Sequence, residues 1–350
     1  MRRCEPHSHV QTSRPLTHPM NDAVRGEGLV LARFARPAGR STTFAVVADP
    51  HVTPEAEGTW KVFHRTEARL RGAVASANRL GVDAVVSTGD LTRDGAPAEF
   101  DRVDSILGDL DAPLVAVPGN HDVPKAMDDH ETPSVERFAK RYGVGTLPYV
   151  IGVGGVDLVG IDTASDGSLF ESHEGAVSAD QLAWLDSVLD GCETPVVVCH
   201  HPVGRVAERV DALEPSPHYR LRNADALVDL LAGHGVGLVL SGHVHWPAVD
   251  RVGGVRQVIA PAACSFPPAA LLVHVEPRGT TVSLLPLAGR RGLEEAYRHV
   301  GGQGRGAAFV AATEDGYFRG FPQVDESDDG TALRPRDPPG APARSPSNGL

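Results

Sequence analysis

An α/β fold of buried strands separated by amphipathic helices is predicted by three features of this sequence. Short continuous apolar runs, such as Phe44-Ala45-Val46-Val47-Ala48 and Ala84-Val85-Val86, alternate with segments of helical periodicity; such runs suit strands covered on both faces. Five of the runs stop at a cluster of Asp, Asn or His. Glycine (38) and proline (28) are plentiful in the 350 residues while aromatics make up 5%, which predicts a loop-rich protein with an aliphatic core.

Taken in order, residues 1–27 read as a disordered N-terminal extension, with Met20 an alternative start. Leu29 to Phe34 is a first strand. The run ending at Asp49 is the second. Leu70, Ala73, Val74 and Ala77 recur at helical spacing, predicting a helix over Lys61 to Leu80 that Gly81 stops. A strand ending at Gly89-Asp90 and a helix over Glu99 to Leu107 follow. The strand Pro113 to Val117 leads into Gly119-Asn120-His121-Asp122. Tyr149 to Ile161 reads as a hairpin turning at Gly154-Gly155. Ser178 starts a helix, with Gln181 completing a capping box. Pro195 to Cys199 is a strand ending at His200-His201, Ala224 to Leu231 a helix, and Gly237 to Leu240 a strand ending at Gly242-His243-Val244-His245. Strands within Val255–Ile259, Ala270–Val275 and Thr281–Leu285 close the domain. Its expected limits are 28–290. Residues 291–324 form a C-terminal extension able to pack on the core or support a homodimer. Residues 325–350, rich in Pro, Ser, Asp and Gly, read as a disordered tail.

The formal charge is -12, and lysine occurs three times, at 61, 125 and 140. That balance argues against a stable nucleic-acid partner, because phosphate backbones need neutralising cations. No apolar run reaches the ~20 residues of a membrane span, and the first twenty residues lack a hydrophobic signal core. The expectation is a cytoplasmic protein with no membrane partner. The four cysteines stand far apart without a CxxC, and Cys199, inside an apolar strand, reads as a small buried hydrophobe.

The strand-end residues carry the chemistry. In open α/β sheets, ligands bind outside the carboxyl ends of strands. Asp49, His51, Asp90, Asn120, His200, His243 and His245 offer four imidazoles, two carboxylates and one amide. Such donors suit Mn, Fe or Zn. Seven groups exceed one ion's needs and fit two ions if a carboxylate bridges them. Asp49-x-His51 and His243-x-His245 place paired donors at i and i+2, on one side of a chain leaving a strand.

Asp49-Pro50-His51, Gly89-Asp90, Gly119-Asn120-His121-Asp122, His200 and Gly242-His243-Val244-His245, in this order over about 200 residues, resemble the signature of the calcineurin-like metallophosphoesterase superfamily. His200-His201-Pro202, Gln181-Leu182-x-Trp184-Leu185 and Ala260-Pro261-Ala262-Ala263-Cys264 further resemble its class III cyclic-nucleotide phosphodiesterase branch. The resemblance implies a four-layer α/β/β/α sandwich of two mixed sheets. It also implies two metal ions, one held by Asp49, His51 and His245, the other by Asn120, His200 and His243, with Asp90 between them. A metal-bridging hydroxide would attack a phosphodiester, a 3′,5′-cyclic nucleotide being the leading small-molecule substrate. His121 would protonate the leaving oxygen and Asp122 would orient a neighbour. A broad-specificity phosphodiesterase or phosphomonoesterase is the alternative, followed by a non-catalytic scaffold of the same fold. His201 reads as supporting its neighbouring ligand, Asp162 as a structural turn, and the arginines at 65, 69, 71 and 79 as the solvated face of one helix.

Overall fold

The computed structural model describes residues 28–327 apart from 55, 127, 166–173, 207–209, 211–212, 214–218 and 302–303. The extension 1–27 and the tail beyond 327 lie outside the described residues. The first third of the chain supplies strands β1 (Leu29–Phe34), β2 (Thr42–Val47), β3 (Ala84–Ser87) and β4 (Leu114–Ala116). The middle supplies β5 (Tyr149–Val153), β6 (Val156–Gly160), β7 (Pro195–Val198), β8 (Leu238–Ser241), β9 (Ala248–Val252) and β10 (Val255–Ile259). The end adds β11 (Ala269–Glu276), β12 (Gly279–Pro286) and β13 (Val324–Asp325). Helices α1 (Thr66–Leu80), α2 (Pro97–Leu107), α3 (Val135–Tyr142), α4 (Ala179–Val188), α5 (Ala224–Gly233), α6 (Arg290–Val300) and α7 (Arg305–Glu314) connect or follow them.

Two mixed sheets result, ordered β13-β1-β12-β11-β2-β3-β4 and β5-β6-β7-β8-β10-β9. Side-chain alternation along the strands builds four layers from them. Phe44 and Val46 join Leu158, Val196, Val198 and Leu240 between the sheets. Ala45 and Val47 face the other way, against Leu70 and Val74 of α1 and Phe100 of α2. On the far side Val159 and Val197 pack with Leu185 of α4 and Leu227 of α5. Both faces of these strands are covered, which is why their sequences are continuously apolar. The arrangement is the α/β/β/α sandwich.

Three local expectations need correction. The helix expected from Lys61 begins at Thr66, because Val62 adopts a left-handed conformation (φ 46°) and a 3-10 turn, Phe63–Arg65, intervenes. Arg69, expected in solvent, is 3% exposed. Ser178 does cap α4 through the Gln181 amide N–H, but Gln181's side chain reaches Asp162 instead of closing the box, pairing with its backbone N–H and carbonyl at 2.8 Å each.

The C-terminal residues finish one end of the core. Leu293, Ala296, Val300, Phe309 and Phe318 belong to the cluster between the sheets. Buried Trp246 stacks on Phe309 with ring centroids 4.5 Å apart. Strand β13 pairs with β1, which itself pairs with β12, Leu29 lying opposite Leu284. Asp325 and Glu326, expected in the tail, are therefore ordered; Glu326 takes hydrogen bonds from Arg256 at 2.6 and 2.8 Å.

Candidate metal centre

Strands β2, β3 and β4 run parallel in one sheet, and β6, β7 and β8 in the other. Their carboxyl ends carry the seven residues singled out above into one buried cluster. Asp49, His51, Asp90, Asn120, His200, His243 and His245 are each 8% exposed or less. Asp49, His51, Asp90, His243 and His245 all have left-handed backbone, with φ between 45° and 69°. Each such non-glycine residue costs about 1–3 kcal/mol, and strain of this kind gathers at functional sites. Close approach is also needed. A Cβ on Gly119 would fall 2.1 Å from Asp90 Oδ1, and one on Gly242 would fall 2.6 Å from Asp49 Oδ2.

The side chains form two groups. In the first, His245 Nε2 lies 3.2 Å from Asp49 Oδ1 and 3.3 Å from His51 Nε2. In the second, Asn120 Oδ1 lies 3.1 Å from His200 Nε2 and from His243 Nδ1. Asp90 Oδ2 reaches both, 3.3 Å from His51 Nε2 and 3.5 Å from His200 Nε2.

These contacts fit a cation better than a hydrogen-bond network. His200 donates its Nδ1–H to the Thr88 carbonyl at 2.8 Å, which turns its Nε2 towards two oxygens, Asn120 Oδ1 and Asp90 Oδ2. The same Asn120 oxygen faces His243 Nδ1. Ligand atoms of these kinds, converging in a buried space, suit a positive ion among them. Burial, reinforced by the charges of Asp49 and Asp122, pushes the Asp90 carboxyl up to about 7 despite His200 nearby. Burial would also raise Asp49, but His245 and the His243 N–H win and lower it. Burial holds His51 well below its usual value and His245 at about 4, so both imidazoles are neutral and ready to ligate.

A test follows from Asp90. In the stripped protein at pH 6 this carboxyl is mostly protonated, whereas at pH 8 it is a buried, uncompensated anion. Bound metal requires the anion at both. The drop in Tm caused by chelation should therefore be larger at pH 8 than at pH 6. A drop that is equal, or larger at pH 6, would remove Asp90 from the metal site.

The other residues flank this cluster. The His121 N–H donates to Asp90 Oδ1 at 2.9 Å, its ring packs edge-on to His51 at 4.6 Å, and its Nδ1 donates to the Arg93 carbonyl. The Asp122 carboxylate accepts from Leu91 N, Thr92 N, Thr92 Oγ1 and Gly119 N at 2.8–3.1 Å, which ties the β3 and β4 loops together. His201 sits behind the cluster, bonded to Thr163 Oγ1 at 3.1 Å and packed on the His243 ring. Asp162 caps its own turn through the Ala164 and Ser165 N–H groups. Cys199 is fully buried, its thiol pushed up to about 12.

Sequence reasoning missed the rim. Lys61 Nζ lies 3.2 Å from His51 Nε2. Trp60 packs on His245 with centroids 5.2 Å apart. Arg305 of α7 lies over the rings of Trp60 and Tyr219, 5.8 and 4.4 Å from their centroids, and donates to the His243 carbonyl at 3.3 Å. The scarcity of lysine was a signal for Lys61. Arg305 had none, being 60 positions beyond His245, the last of the seven strand-end residues.

The family model for calcineurin-like phosphoesterases matches residues 42–247. The chain belongs to that family. This phosphoesterase is 30% identical over 263 residues to a cAMP/cGMP dual specificity phosphodiesterase of Mycobacterium tuberculosis, covering 64% of this chain and 76% of that one. To the 3′,5′-cyclic adenosine monophosphate phosphodiesterase CpdA of Escherichia coli strain K12 it is 29% identical over 186 residues, 52% of this chain and 61% of that one. A dimetal phosphatase from Danio rerio shares the fold, with a TM-score of 0.55 at 18% identity over 71% of this chain and 97% of the other. The phosphoesterase is thus a phosphoric ester hydrolase of a family that uses divalent metal ions. Among its described residues, no helix is long and apolar enough to cross a membrane.

Proposed function

We propose that the phosphoesterase hydrolyses a phosphodiester at a dinuclear metal centre, with a 3′,5′-cyclic nucleotide as its leading substrate. The observation that carries this reading is Asp90 Oδ2, within 3.5 Å of a donor in each of two ligand groups. Asp49, His51 and His245 would hold one ion, Asn120, His200 and His243 the other, and Asp90 would touch both. The pair, when bound, supplies Lewis acidity and an activated water.

The chain's own groups do the rest. Because His121 Nδ1 donates to a carbonyl, the opposite nitrogen carries a proton only as the imidazolium, the form suited to protonating a departing alkoxide. The Asp122 carboxylate positions the loop carrying His121. Lys61 and Arg305 offer positive charge to a phosphate, and Trp60 and Tyr219 offer flat faces to a base. The phosphodiesterase names of the relatives support the same substrate class.

The test is a panel of cyclic nucleotides, glycerophosphodiesters, linear dinucleotides and phosphomonoesters on metal-reconstituted enzyme, ranked by kcat/KM. Preference for monoesters would overturn the diesterase reading. Arg305→Ala should raise KM for the preferred diester about ten-fold and change kcat less, since a hydrogen bond to a charged group contributes ~1.5–3 kcal/mol. An unchanged KM would remove Arg305 from substrate binding.

A further inference from the structure

A cavity of about 440 Å³ lies between α1 and α6, lined by Arg65, Arg69, Arg291, Arg298 and Glu295 together with small apolar residues. None of the seven candidate ligands lines it. Glu295 does not neutralise the cavity. Its carboxylate already takes three hydrogen bonds from Arg65 at 3.0–3.1 Å and one from His64 at 3.0 Å. Arg65 and then His64 hold it down at about 2. Three guanidiniums remain. Arg291 and Arg298 project from α6 two turns apart and are exposed.

Arg69 is the unusual member. It is 3% exposed, and no carboxylate among the described residues forms an ion pair with it. Its Nη1 donates to the Ala263 and Cys264 carbonyls at 3.2 and 2.6 Å, while its buried Nη2 has no hydrogen-bond partner. A buried cation with an unmade hydrogen bond costs free energy unless an anion answers it. In a chain of net charge -12, three arginines that form no carboxylate ion pair among the described residues stand around one concavity, against a single Glu295 already shared with Arg65, and focus positive potential there.

We propose that this cavity is a binding site for a small phosphate-bearing dianion, with Arg69 on its inner wall and Arg291 and Arg298 at its mouth. Planar guanidiniums match phosphate oxygens two at a time. The site is also wired to the metal centre. The carbonyls that hold Arg69 belong to the segment bearing Cys264 and Ser265, whose Sγ and Oγ lie 3.6 and 3.3 Å from His245 Nδ1. An anion that draws Arg69 away from those carbonyls loosens the support of His245. Occupancy should therefore lower turnover from outside the centre.

Calorimetric titration of the metal-loaded enzyme with inorganic phosphate, and separately with methyl phosphate, tests the site without needing turnover. The wild type should show a class of binding that a competing phosphodiester does not displace. Arg291→Glu/Arg298→Glu, altered only at exposed positions, should weaken that class at least ten-fold. The two titrants distinguish free phosphate from a phosphomonoester as the better ligand. An isotherm that the double variant leaves unchanged overturns the site, as does wild-type binding fully displaced by the diester. In turnover assays, phosphate should depress kcat in the wild type and act by competition alone in the double variant. Purely competitive inhibition in both overturns the coupling to His245.

Discussion

On the proposed two-ion reading, Asp90→Ala should empty both metal positions and reduce turnover of the preferred phosphoester to background. The geometry makes this the most damaging single change. Each outer group keeps three donors without Asp90, but each loses the one oxygen that lies within 3.5 Å of the other's histidine. The ion charges would then face one another without the carboxylate between them, and metal-to-metal repulsion within a buried pocket is severe. His121 is disturbed as well, since its N–H donates to Asp90 Oδ1 at 2.9 Å. Metal analysis after dialysis should find less than one ion per chain. Two tightly held ions in this variant would refute the bridging role. Asp90→Asn separates charge from shape, retaining an oxygen donor while losing the anion, and should recover part of the metal and little of the rate.

His121→Ala should do the reverse, keeping both ions and losing about 10²–10⁴-fold in kcat, the range general acid catalysis contributes. Its ring contacts His51 only edge-on, and its Nδ1 is committed to the Arg93 carbonyl, so removing it takes away no donor of either group. The loss should shrink for substrates with a good leaving group, such as a nitrophenyl diester, because a weakly basic alkoxide needs no proton. Equal losses for good and poor leaving groups would assign His121 to positioning. Comparable turnover in the metal-replete variant and wild type would remove it from catalysis altogether.

How much of this could be read from the sequence depends on how local each feature is. The seven candidate donors lie at strand ends, where an apolar run followed by a polar cluster is visible within ten residues, and parallel pairing aligns such ends within each sheet; the packing of one sheet on the other then joins the two sets. The same continuity says that these strands are covered on both faces, whereas the four layers were implied by the family resemblance. Side chains placed by distant partners were not legible. Helical periodicity put Lys61 on α1, yet one left-handed residue at Val62 turns it back towards His51. Arg69 looks like any surface arginine until the loop at Ala263 and Cys264 covers it. Gln181 satisfies the capping pattern in sequence, but Asp162, buried beside it, offers a better pair of backbone groups. Arg305 reaches the rim from a helix whose Phe309, four residues on, is stacked on Trp246, a tertiary contact that no local pattern announces.

The pairing of β1 with β12 and β13 has a consequence for synthesis. Strand β1 finds its neighbours only when residues 279–286 and 324–325 have emerged, so the nascent sheet stays open along an apolar edge until those segments have left the ribosome. Contacts of such separation form slowly and late. A polypeptide released before Gly279 would carry all seven candidate donors, the last being His245, yet leave β1 and β11 without the strand that joins them, a substrate for chaperones and proteases before it could act as an enzyme.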